Sequence, residues 1–312
     1  MENLILSLEI VLPLFIVMAV GYFVKVIGLI TESFARQVNS LVFHVFLPVL
    51  LCKNIYQSSL DSLLNPGIFL FSGIGIIVMF LILMFFVPRV EKDHKKCGAM
   101  VQAMFRGNYA YFGIPLVQAM FPGADTSVAS LLVVVVVPIF NVLAVIDLEV
   151  FRGGKPEVRS ILRKIITNPL IIGSLCGLVI LLTGLKIPEI LQTPINDLSK
   201  IATPLALFLL GASIDFSKTG AHIRNIVLCV GAKLVVFPLA AVLLGILLGF
   251  TGVELACILI VFGAPAAVNS AIMAQQMDSD GDLATEAVVF STAGSAFTIF
   301  LFIFVLKSVG LF

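Results

Sequence analysis

The chain has 312 residues, 60% of them hydrophobic and only 12% charged, with a mean hydropathy of +1.16. Soluble domains run about 45–50% apolar and about 25% charged, and a globule of this length has too little interior for so much apolar surface. An ordinary cytosolic enzyme and a disordered chain are thereby excluded, and a net charge of +1 offers a nucleic acid nothing to bind. What remains is an all-α polytopic membrane protein in a lipid bilayer.

A transmembrane helix needs about 20 mostly apolar residues. Ten such segments succeed one another at 8–28, 36–55, 66–88, 96–120, 127–149, 163–185, 194–214, 222–250, 254–276 and 283–309. None alternates with period two over ten residues, which argues against a β-barrel. The first segment has no cationic start and no small-residue cleavage site, so it reads as a retained span. Span 2 holds His44, a candidate proton relay or a packing histidine. Span 4 reads Arg106-Gly107-Asn108-Tyr109-Ala110-Tyr111-Phe112-Gly113-Ile114-Pro115, and span 9 reads Phe262-Gly263-Ala264-Pro265-Ala266-Ala267-Val268-Asn269. Span 5 carries Asn141 beside Pro138, facing either a cavity or an ion. In span 6 Gly173 and Gly177, and in span 8 Gly245 and Gly249, permit close helix packing. Before span 10, Asp278, Asp280 and Asp282 read as helix-capping acids rather than a Ca²⁺ loop. The five cysteines lie scattered, mostly in apolar stretches, and read as small buried hydrophobes.

Lys and Arg set the orientation. Thirteen of the nineteen fall in or beside the loops after spans 1, 3, 5 and 7, including Lys25, Lys92, Arg152 and Arg224. Those loops are expected in the cytoplasm and both termini outside the cytoplasmic membrane. The polar stretch 151–162 is a cytoplasmic linker between residues 1–150 and 163–312. Five spans on each side make the second half insert upside down, an inverted repeat of transporter type. Echoes between halves agree: Asn39 to Pro48 in span 2 parallels Asn196 to Pro204 in span 7, and spans 4 and 9 share Gly-x-Pro.

Pro removes a backbone donor and Gly weakens a helix. Lipid cannot satisfy the freed groups, so such breaks persist where they are buried or line a cavity. If spans 4 and 9 cross at their breaks, two half-helix N-termini face one centre, a setting for an anion. Arg106 and Lys233 lie near mid-membrane, where a charge costs at least about 2.5–3.5 kcal/mol and so suggests function. Central cations without central acids favour an anionic passenger. On this basis Asn108, Tyr109, Gly113, Pro115, Gly263, Pro265 and Asn269 are candidate substrate-binding residues, and Arg106, Lys233 and His44 candidate charge carriers. No reactive pair at one depth suggests an enzyme, and no cofactor or metal cluster is indicated.

The stretch Asn108–Leu116, the Pro204-Leu205-Ala206-Leu207 to Leu210-Gly211-Ala212 run and the Pro265 break resemble the auxin efflux carrier family, which includes plant PIN-type carriers and bacterial malate permease-like proteins. Without the long central loop of many plant carriers, the chain looks like a short bacterial-type member. The resemblance implies the bile acid/sodium symporter-like fold: a 5+5 inverted repeat with crossed broken helices 4 and 9. Spans 1, 2, 6 and 7 would form a scaffold, with spans 3–5 and 8–10 as an elevator-like transport unit, often in a homodimer. It implies transport of a small organic anion such as malate or an auxin-like acid, with Asn108 on the carboxylate and Pro115 and Pro265 at the crossing. Asn269 enters from the physics alone. A coupling Na⁺ or H⁺ is left open, and a passive channel or facilitator for small anions is the alternative.

Overall fold

The computed structural model describes residues 2–57, 66–121, 123–153, 158–214 and 216–312, with side chains for all of these except 2–11, 14, 111, 115, 127, 158, 160, 161 and 216–221. The regular structure is helical, and among the described residues the one strand-like pairing is a single antiparallel bridge between Gly107 and Ala266. In chain order come α1 (Glu2–Val26), then α2 (Glu32–Leu41) and α3 (Leu47–Tyr56) joined by a π-turn, and α4 (Pro66–Val90). Next are α5 (His94–Phe105), α6 (Ile114–Met120), α7 (Ser127–Val150), α8 (Val158–Thr167), α9 (Pro169–Thr183) and α10 (Glu189–Ser213). The chain ends with α11 (Phe216–Gly231), a π-turn, α12 (Phe237–Leu247), α13 (Gly252–Gly263), α14 (Val268–Gln276) and α15 (Gly281–Ser308).

Among the described residues six continuous helices are long and apolar enough to cross a membrane: Glu32–Tyr56, Pro66–Val90, Val128–Val150, Glu189–Ser213, His222–Leu247 and Gly281–Ser308. Phe15–Val26, Pro169–Thr183 and Gly252–Gly263 are shorter apolar helices. Spans 4 and 9 are interrupted, as their composition suggests. Span 6 begins later than the expected 163. Asn168 accepts hydrogen bonds from the backbone N–H groups of Leu170 and Ile171, and Pro169 fits the first helical turn, so α9 starts there. Residues 158–167, part of which was expected to be linker, form a separate helix with exposed Leu162 and Ile166 beside exposed Arg159 and Arg163.

Three π-turns share one local cause. Val42–Phe46, Tyr109–Gly113 and Ala232–Val236 each end two residues before a proline: Pro48, Pro115 and Pro238. A proline ring clashes with the carbonyl four residues back. In each case that carbonyl lies inside the widened turn. Pro138 and Pro204 sit within α-helices without a π-turn, so proline permits the widening and packing selects it.

The helices pack in two sets of neighbours, which also touch each other where α1 lies on α15, α9 on α7 and α10 on α14. In the first, α1 lies against α10, and α3 against α9 and α10. Bare glycine faces make this close approach possible. A Cβ on Gly21 would stand 2.0 Å from the Phe208 carbonyl oxygen, and one on Gly211 would stand 1.9 Å from that of Met18. Gly173 and Gly177 are used the same way against Pro48 and Cys52 of α3, so this pair serves packing within the chain. Gly245 meets α13, whereas Gly249 lies past the end of α12 with φ +85°, a turn conformation rather than a packing face. The second group contains α4–α7 and α11–α15, with α5 against α4, α7 and α15, and α13 against α12, α7 and α4. Of the cysteines, Cys97, Cys229 and Cys257 are buried, while Cys176 is exposed on α9, unlike the expected interior position.

The loops after spans 1, 3, 5, 7 and 9 meet at one end. Lys25 donates to the Ile214 carbonyl, Ser279 to that of Lys95 at 2.8 Å, and Arg152 pairs with Asp278. Asp280 caps α15 by accepting from the Leu283 N–H. Here, outside the spans, the Glu91 carboxylate accepts from the Asp93 backbone N–H, which holds its pKa below the usual range, aided by the Asn225 amide and the Lys92 N–H against partial desolvation.

Candidate functional site

The two interruptions meet in the second helical group. Span 4 is extended at Arg106 and non-helical at Asn108, then resumes as the π-turn leading into α6. Span 9 is open from Ala264 to Ala267. The Asn108 N–H donates to the Pro265 carbonyl at 2.8 Å, and the Ala267 N–H donates to the Arg106 carbonyl at 3.0 Å. The Ala266 N–H donates to Ser291 Oγ of α15 at 3.0 Å. These bonds satisfy part of the backbone that lipid would leave unpaired. Because α5 and α13 each have 12 residues, at about 1.5 Å per residue both reach the crossing after about 18 Å, roughly half a bilayer core or slightly more.

Both restarted helices are uncapped. Neither Asn108 nor Ala267 makes a side-chain cap bond, so the first N–H groups of each restart lack that partner. The Asn108 side chain is nearly buried and Asn269 half-buried in the first turn of α14, and among the described residues neither side-chain amide has a hydrogen-bond partner. The crossing therefore presents amide donors and two positive helix ends.

Two cations lie underneath. Arg106 is buried, donating to Asn141 Oδ1 at 2.6 Å, Gln102 Oε1 at 3.3 Å and Met273 Sδ at 3.2 Å. Asn141 in turn donates to Ser174 Oγ of α9 at 3.2 Å, tying the crossing to the first helical group. Lys233 is 0% exposed in the π-turn of span 8, with its Nζ 3.4 Å from the Phe105 carbonyl oxygen. Among the described residues no carboxylate forms an ion pair with either cation.

The other candidates divide. The Tyr109 hydroxyl donates to the Ala129 carbonyl at 2.8 Å. Gly113 lies beyond the break and packs on α13, where a Cβ would stand 2.5 Å from a methyl of Ile260. Gly263 ends α13 against Pro238, and Pro265 supplies a carbonyl in the break itself. The Pro115 side chain lies outside the described residues, though its backbone is in α6. His44 is not part of the crossing: it is exposed, and its Nδ1 is 2.8 Å from the Ser40 carbonyl oxygen. Gln102, Ser174 and Ser291 were not anticipated, because a single small polar residue in an apolar span carries no signal of depth or facing.

A cavity of about 500 Å³ opens at the end where the odd-numbered loops meet, between the two groups. Lys25, Arg36, Asn39, Gln275 and Asp280 are among its lining residues. At its floor Asn39 of α2 donates to Gln275 of α14 at 2.9 Å. Since α14 has nine residues, that contact is about 12 Å from the crossing.

A family model described as membrane transport protein matches residues 6–303. The chain belongs to this family, the auxin efflux carriers. Relatives of this membrane transport family match over nearly full length. An uncharacterized transporter of Methanothermobacter thermautotrophicus is 26% identical over 92% of this chain and 94% of its own. Uncharacterized transporters of Methanocaldococcus jannaschii and Escherichia coli are each 23% identical, over 94% and 96% of this chain and 97% of theirs.

Proposed function

We propose that this auxin efflux carrier family member is a secondary active carrier for a small organic anion, bound at the crossing. The observation that carries this reading is the pairing of two uncapped helix starts with the unpartnered amides of Asn108 and Asn269, above Arg106 and Lys233 and with no acid in the cluster. A carboxylate satisfies such donors, and the helix ends and cations balance its charge.

The membrane arrangement that fits is ten crossings in two inverted sets of five. Six are the long helices, two are α1 and α9, and two are the interrupted pairs α5–α6 and α13–α14. The basic loop end faces the cytoplasm and both termini lie outside, in the cytoplasmic membrane. The first helical group serves as scaffold and the second carries the crossing as an elevator, with the 500 Å³ cavity as the approach from the cytoplasm.

Uptake of labelled mono- and dicarboxylates by reconstituted vesicles tests the reading. Saturable uptake and exchange are expected, and Asn108→Ala is expected to lower uptake by about tenfold, the factor given by about 1.4 kcal/mol of lost binding. An Asn108→Ala variant that transports as well as the parent would remove the crossing as the site. Single-channel currents without saturable exchange would replace the carrier with a channel.

A further inference from the structure

Lys233 is used by none of the contacts that build the anion side of the crossing. Its surroundings are of the opposite kind. The ammonium is fully buried, so it does not reach toward solvent, and among the described residues its one hydrogen bond goes to the carbonyl of Phe105, the last residue of α5. A Cβ added to Gly107 would stand 3.1 Å from Nζ and 3.3 Å from the Val261 carbonyl oxygen of α13, so the bare Gly107 borders both the ammonium and that second oxygen. Both carbonyls belong to last turns of helices, where unpaired oxygens and the negative dipole end collect. In carriers with interrupted helices, such C-terminal ends and open carbonyls are what coordinate a coupling cation. Among the described residues no carboxylate pairs with this group, and no cluster of three or more His, Cys, Asp or Glu could hold a metal ion.

We propose that Lys233 is a built-in counter-cation: its ammonium occupies the seat between the ends of α5 and α13 that a bound metal ion would otherwise take, so the crossing binds its anion without one. Gly107 is part of the device, because any side chain there meets the ammonium. The π-turn is the other part, since it sets the direction in which residue 233 leaves its helix. This proposal rests on the carrier reading but fails separately from it. Uptake of any carboxylate by the parent protein tests the reading, and the cation dependence of that uptake tests the proposal.

The experiment measures carboxylate uptake, and thermal stability of the purified protein, in sodium chloride, choline chloride and methylammonium chloride. The parent is expected to transport equally in sodium and choline and to show no sodium-dependent stabilisation. Lys233→Ala opens the seat. It is expected to lose uptake in choline by about tenfold and to regain it with methylammonium or sodium, which should also raise its melting temperature. Lys233→Gln replaces it where the alanine variant does not fold. Sodium-dependent uptake by the parent would overturn the proposal, and so would full uptake by the variant in choline. The parent's sodium arm decides the matter even if neither variant folds.

Discussion

At the scale of single residues, the site is governed by which donors are already used. The Arg106 guanidinium has three side-chain contacts, the shortest to Asn141. A buried charge left short of partners is expensive, and a hydrogen bond to a charged group contributes about 1.5–3 kcal/mol. Asn141→Leu is therefore expected to lower the melting temperature and slow uptake together. Asn141→Asp separates the two roles. A carboxylate facing Arg106 keeps the contact but cancels the charge, so stability should hold while anion affinity falls. Equal affinity in the Asp variant and the parent would show that the Arg106 charge is not felt by the substrate. Asn141 was visible in the sequence as a polar residue beside Pro138, but its partner was not. Arg106 lies 35 residues away, and only the packing of α5 on α7 brings them together.

At the scale of elements, prolines explain most of the departures from plain helices. The Gly-x-Pro of span 4 pointed to an interruption, and one is present, but it opens at 106–108 while Gly113 and Ile114 are helical. The reason is that a proline distorts the turn before it, so the widened turn falls at 109–113 and the open backbone just before that. In span 9 Pro265 occupies the break itself. Pro238 has the same effect as Pro115 but in a span that does not open, where the distortion ends at Ala232–Val236 around Lys233. Pro238→Ala allows this turn to rewind to 3.6 residues per turn, which rotates Lys233 relative to the crossing. The expected outcome is a strong loss of uptake with little loss of helix content or melting temperature. Normal uptake would show that the π-turn does not position Lys233. The helical class and the six long apolar helices were legible because composition and length follow directly from the membrane. The crossing was legible as a possibility, since Pro and Gly mark breaks. Which donors remain free was not, because that depends on neighbours such as Ala129 and Ser291 from other helices.

At the scale of the molecule, the proposed scaffold and transport bodies are in direct contact, and few polar contacts among the described residues join them. Within each body glycine faces and apolar side chains fit closely, as Gly211 on Met18 shows. Between them, α1 packs on α15 and α10 on α14, and the hydrogen bonds Asn39–Gln275 and Asn141–Ser174 cross the seam. Apolar faces slide at little cost because lipid and protein interiors are similarly apolar, whereas each buried polar contact must be exchanged for another. Under the proposed elevator these contacts, with the Lys164–Glu149 ion pair between α8 and α7, are the ones among the described residues that would have to be exchanged. The cavity at the basic end lies on this seam, with Asn39 from one body and Gln275 from the other at its floor. If the second body travels against the first, that floor must part in every cycle. A double variant, Asn39→Cys with Gln275→Cys, tests this after the five native cysteines are replaced. A short bis-methanethiosulfonate, which forms a disulfide with each cysteine and releases methanesulfinate, should stop carboxylate uptake, a reductant should restore it, and each single variant should be unaffected by the reagent. The length of the reagent matters too: a long flexible bridge lets the bodies separate, so inhibition should weaken as the bridge lengthens. Unimpeded uptake with the short bridge in place would mean that the bodies do not part at this seam, and the substrate would then have to reach the crossing by a path within the second body alone.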